Sequence, residues 1–100
     1  MNRTMLIAAA LAAAPLAAGA QDSPAARSLA ATCASCHGTE GRSVSTEVAA
    51  LAGLPKDDIV AKMKAFRDGQ RPATVMHQIA KGYTDAQIDS LAAWFSAQKR

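Results

Sequence analysis

From Ser23 onward the apolar residues recur at intervals of three and four, never in the alternation of a half-buried strand, so the chain reads as all-α. Ser23 stands where an N-cap belongs, Pro24 where a missing N–H costs nothing, and Ala26, Leu29, Ala30 and Cys33 then share one face. A second helix is predicted over Lys56–Arg67, with Asp57 and Asp58 at its positive end, Gly69 just past its close, and Ile59, Met63 and Phe66 as its stripe. A short helical turn ends at Gly82. Thr84-Asp85-Ala86-Gln87 has the form of a capping box and opens a last helix with Ile88, Leu91, Ala92 and Phe95 inward. Residues 38–55, rich in Gly, Ser and Thr, form a loop between the first and second helices. With no internal repeat, the expected architecture is one small domain of about four short helices.

The segment before this pattern has another character. Arg3, an apolar run from Met5 to Ala18 and the small residues Ala18-Gly19-Ala20 read as a secretory signal over residues 1–20, cleaved to leave a domain of residues 21–100. The run is too short and alanine-rich for a membrane span, which takes roughly 20 strongly apolar residues. The product is expected outside the cytoplasm, in a bacterial periplasm, with no membrane span after cleavage.

Charge then excludes one class of partner. The whole chain carries a formal +3, but residues 21–100 hold ten Lys and Arg against eight Asp and Glu. The basic side chains are scattered, with no stripe interleaved with aromatic platforms, which speaks against nucleic acid. A domain this small buries only somewhat over ~60 % of its unfolded surface and has a thin apolar core.

The candidate chemistry lies at Cys33-Ala34-Ser35-Cys36-His37, two thiols three positions apart followed at once by an imidazole, the attachment signature of a c-type haem. Cysteines at that spacing reach the two vinyl groups of one porphyrin as thioethers, and His37 can place a ring nitrogen on the iron. Such a porphyrin would complete the thin core. The competing readings are a thioredoxin-like dithiol, half of a zinc site, and a chance Cys-x-x-Cys. The dithiol needs a strand before it and a helix after it, and a closed zinc site needs four ligands where only His77 remains as a nitrogen donor.

A second axial ligand has three candidates. Met63 falls in register with the stripe of its helix, the place of a packing residue. Met76 follows Gln70-Arg71-Pro72-Ala73-Thr74, where a proline breaks the helix and frees a side chain to be aimed, and His77 is adjacent. The remaining alternative is an iron left five-coordinate, open to a small ligand.

These motifs, in order, resemble a class I c-type cytochrome, of the subgroup with cytochromes c4 and c553 and the cytochrome subunit of flavocytochrome c sulfide dehydrogenases. The similarity covers about residues 25–98. It rests on Cys33 to Gly38, Leu51-Ala52-Gly53-Leu54-Pro55, the run Lys64 to Arg71, and Met76 followed by Ala80-Lys81-Gly82-Tyr83-Thr84-Asp85. The resemblance implies a small cytochrome c fold around one covalently attached haem, joined by a dedicated maturation system. It also implies Met76 as the axial methionine and the last helix crossing the first, with Leu91 and Trp94 at the crossing. Where the family has an aromatic four residues before the first cysteine, this chain has Leu29, and Ala25 stands near a family glycine. Twelve residues past the haem histidine the family places a proline whose carbonyl accepts the ligand's second N–H. Here that position is Ala49, which keeps the carbonyl and lacks the rigidity.

The expected site is thus one haem c bound by Cys33 and Cys36, with iron between His37 and Met76. Two neutral ligands fill six-coordinate iron, the soft thioether favours the reduced state, and no position is left for substrate. No nucleophile and base pair stands elsewhere. The expected function is one-electron carriage by a monomer that docks transiently on redox proteins, among them a flavoprotein dehydrogenase or a terminal oxidase or reductase. The runner-up is a resident electron-accepting subunit of a flavoprotein sulfide dehydrogenase, and the third reading is a haem protein that binds a small ligand. Arg71, then Arg42, are expected at the haem propionates, Tyr83 at a propionate or the haem edge, and one of Trp94 and Phe95 at the helix crossing with the other beside the haem.

Overall fold

The computed structural model describes residues 23–100, so the predicted leader and its cleavage site lie outside the described residues. Five α-helices follow in order: α1 Pro24–Ala31, α2 Ala34–His37, α3 Lys56–Arg67, α4 Met76–Ala80 and α5 Asp85–Ser96, with a 3-10 turn at Thr39–Gly41. There is no strand among the described residues. Four of these helices are those predicted from the apolar pattern. The fifth, α2, is a single turn holding the Cys-x-x-Cys-His motif, too short to leave a periodic signature.

Local chemistry sets the helix ends. Ser23 Oγ accepts the Ala26 N–H at 2.9 Å, and Pro24 takes the first turn of α1. α3 closes in a Schellman arrangement, with the Gln70 N–H on Ala65 O at 2.9 Å and the Gly69 N–H on Phe66 O at 3.2 Å. α5 opens with both bonds of its capping box: the Gln87 N–H donates to Thr84 Oγ1 at 3.2 Å, and the Thr84 N–H donates to Gln87 Oε1 at 2.9 Å. Such a cap is worth about 1 kcal/mol.

α5 lies at the centre, against α1 on one side and α3 on the other, and α3 also carries α4. Ile88, Leu91, Ala92, Trp94 and Phe95 of α5 are all buried, and the last four cluster with Ala26 and Ala30 of α1 and Ile59 of α3. Half of the ten buried apolar residues are alanines: Ala26, Ala30, Ala52, Ala80 and Ala92. The helices can therefore approach closely, but little large apolar surface is stored between them.

Trp94 and Phe95 pack against each other in the core. Both rings point inward, 8 % and 2 % exposed, and they meet edge to face with centroids 5.0 Å apart at 85°. The small side chains of α1 make the room, and such a pair contributes about 0.5–1.5 kcal/mol beyond its buried area. Phe95 also reaches under the loop after the motif. A side chain at Gly41 would sit 2.8 Å from Phe95 Cδ1, so only glycine lets the backbone lie on that ring.

Candidate functional site

α1 delivers the motif directly. After Thr32 the chain passes into α2 with the His37 N–H on Cys33 O at 2.9 Å, and the Gly38 N–H on Ala34 O at 3.0 Å closes the turn. Gly38 then turns sharply at φ 83°, and a Cβ there would fall 2.4 Å from Arg42 O. No other residue allows that turn, which leads the chain back beneath His37.

The following loop is closed at its base by one carbonyl. Gly41 O accepts the N–H of both Leu51, at 2.8 Å, and Ala52, at 3.2 Å. Within the loop, Ser43 Oγ accepts the Ser45 N–H and Ser45 Oγ accepts the Glu47 N–H, so hydroxyl turns shape the stretch. The result is Ala49 O at 2.7 Å from His37 Nδ1. A carbonyl can only accept, so Nδ1 carries a proton and Nε2 is left as the ring nitrogen that could bind a metal. The carbonyl expected of a proline is thus supplied by alanine, with the loop hydroxyls providing the order.

Cys33 is half-buried and Cys36 exposed, and both are free thiols. Burial pushes the Cys33 thiol up, the neighbouring Thr32 hydroxyl works the other way, and the nearby Cys36 raises it further. A thiol held protonated is a poor redox nucleophile, and a helix precedes the motif where a thioredoxin-like site has a strand. The dithiol reading fails on both counts. Nor do three or more His, Cys, Asp or Glu gather as a metal-holding group among the described residues, which removes the zinc reading.

The two methionines separate. Met63, on α3, packs against the central core. Met76 is the first residue of α4, half-buried and outside that core cluster. Beside it His77 is half-buried, its Nδ1 sealed from solvent without a hydrogen-bond partner. The two arginines expected at propionates have other partners: Arg71 lies over the Phe66 ring, 5.2 Å from its centroid, and Arg42 pairs with Glu40 at 2.7 Å and donates to Lys99 O at 3.2 Å. Tyr83 is bonded elsewhere too, its hydroxyl 3.2 Å from Thr32 Oγ1. Thr32 escaped the sequence reading because nothing in its local pattern marks it.

A helical cage around a Cys-x-x-Cys-His turn defines a small c-type cytochrome. The family described as "Cytochrome C oxidase, cbb3-type, subunit III" matches residues 20–95, and the chain belongs to it. Cytochrome c-554(548) of Halomonas halodenitrificans is 37% identical over 71 residues, 68% of this chain and 86% of that protein. The cytochrome subunit of sulfide dehydrogenase of Chlorobaculum tepidum is 39% identical over 67 residues, 67% of this chain and 60% of that one. Among solved structures, cytochrome c4 of Acidithiobacillus ferrooxidans superposes with a TM-score of 0.62 at 37% identity, covering 65% of this chain and 37% of that chain. The chain thus spans less than two thirds of the last two. These relatives are electron-carrying cytochromes, and the family implies covalently bound haem c.

The residues present suit that group. Two free thiols sit on one helical turn beside an imidazole whose Nδ1 is engaged by Ala49 O, and Met76 stands apart from the core.

Proposed function

We propose that the chain is a mono-haem electron carrier of the bacterial periplasm, with one haem c joined to Cys33 and Cys36 and its iron held between His37 and Met76. The observation that carries this reading is the 2.7 Å bond from His37 Nδ1–H to Ala49 O, which fixes both the tautomer and the orientation of the imidazole. When bound, the group supplies a one-electron couple, and the protein supplies ligands, burial and access. The Ala49 carbonyl raises the basicity of His37, and Met76 offers a soft thioether from the opposite segment. The domain is residues 21–100 after loss of the leader 1–20, and the leader carries the periplasmic address. Among the described residues no helix is long and apolar enough to cross a membrane.

The oxidised holoprotein tests the ligand pair. A weak sulfur-to-iron absorption at the red edge of the visible is expected, lost in Met76→Ala and kept in Met63→Ala. Its absence from the wild-type protein, or the reverse pattern, refutes the pairing.

The work proposed is that of a monomer docking transiently on redox proteins, not an enzyme by itself. A second reading, the resident electron-accepting subunit of a flavoprotein sulfide dehydrogenase, is favoured by the Chlorobaculum relative. Purification from the native host in mild salt separates the two. Elution near the protein's own mass supports the shuttle, and co-elution with a flavin-containing chain plus sulfide-dependent haem reduction supports the subunit.

A further inference from the structure

The hydroxyl pair Thr32–Tyr83 joins residues 51 apart in sequence, one directly before Cys33 and the other in the turn between α4 and α5. Its direction follows from the neighbours. Thr32 Oγ1 lies 3.1 Å from Leu29 O, which can only accept, so the single threonine proton is committed there. The 3.2 Å contact is therefore made by the Tyr83 proton, donated to Thr32 Oγ1.

Two features make this bond matter to α4. At its N-terminal end the helix has no side-chain cap, since Val75 occupies that position. At its C-terminal end, Ala80 is fully buried, the Gly82 N–H bonds Ile79 O at 3.1 Å and the Tyr83 N–H bonds Ala80 O at 3.2 Å. A five-residue helix spans little more than one turn, with Met76 roughly 6 Å along the axis from Ala80. Met76 is thus held along the side of α4 by α3 and from behind through Ala80 and Tyr83.

We infer that the Tyr83 hydroxyl is a latch that ties the methionine segment to the cysteine segment and sets how readily Met76 leaves the iron. Tyr83 is a positioning residue, and the inference rests on Met76 ligation as proposed above. Opening the latch lets α4 swing without unfolding the core, so an outside ligand competes better for the vacated position.

Imidazole titration of the oxidised holoprotein, followed in the haem absorption, tests this. Tyr83→Phe is expected to tighten apparent imidazole binding roughly threefold, the scale of one exposed neutral hydrogen bond. Thr32→Val gives the same change, Thr32→Ser restores wild-type binding, and the Thr32→Val/Tyr83→Phe double variant adds nothing more. In a Met76→Ala background Tyr83→Phe has no effect, since no thioether remains to be held. Unchanged binding in Tyr83→Phe, or a change there that Thr32→Val does not reproduce, overturns the latch while leaving Met76 ligation standing. If Met76→Ala itself leaves imidazole binding unaltered, the ligation reading falls and the latch with it.

Discussion

Arg67, in the last turn of α3, reaches Asp85, in the first turn of α5, with Nη1 and Oδ1 2.6 Å apart. Arg67 also lies 3.6 Å from Asp68, so one guanidinium gathers two carboxylates where the helices meet. The hydrogen bond from Arg67, followed by its charge and that of Lys64, holds the Asp85 carboxyl below the usual carboxylate range. A depressed folded-state value stabilises the fold above the unfolded carboxylate's range, and that contribution is lost as pH falls through the lower, folded value. Asp85→Asn is therefore expected to lower the melting midpoint of the holoprotein at neutral pH and low salt. The difference from wild type should close in acid and shrink in high salt, because both groups are reachable by solvent. A gap that persists in acid would assign the effect to helix capping instead.

Ala49→Pro should keep the His37 bond and raise stability by roughly 0.4–1 kcal/mol, through a stiffer unfolded chain. The Ala49 N–H donates no backbone hydrogen bond, so proline removes none. Denaturant midpoints of the two holoproteins decide this, and a loss of stability would show that the loop cannot take proline's fixed φ.

Gly38→Ala should be severe. The residue sits at φ 83° and its new Cβ would be driven against Arg42 O, so the turn must open and draw Ala49 away from His37. The backbone conformation alone, φ 83° with ψ 165°, lies in a region reserved for glycine and costs any other residue about 1–3 kcal/mol. The expected outcome is a broad drop in thermal stability, together with a changed histidine ring signal in proton NMR of the holoprotein.

The chain made without haem should be largely unfolded in far-UV circular dichroism. Ile59, Ile88, Leu91, Trp94 and Phe95 are the only large buried side chains among the described residues, too few to offset the entropy of ordering a domain of this size. A cooperative helical apoprotein would refute this.

The helices were legible because local chemistry marks their ends. Asp57 and Asp58 in the first turn of α3, Gly69 beyond Arg67, and the Thr84 and Gln87 pair each act within a few residues, and the apolar stripes between them have the helical period. The Ala49 carbonyl could be located by counting from His37, although the serine turns that place it could not be foreseen as a substitute for proline. That Trp94 and Phe95 are both buried was not legible, because two adjacent positions on one helix share a packed environment only where small neighbours such as Ala26 and Ala30 make the room, a fact of packing. Tyr83 and Thr32 meet across 51 positions, and no periodic pattern encodes such a meeting.

The double acceptance at Gly41 O, from Leu51 and Ala52, closes the loop like a drawstring. Beyond that knot Ala49 turns in to hold His37, while Val44 is wholly exposed. A cysteine or an inserted peptide at Val44 would give the molecule a handle on the histidine side that leaves the Tyr83 and Met76 side open. Tethered there to an electrode, the protein would be held by the same loop that orients its histidine.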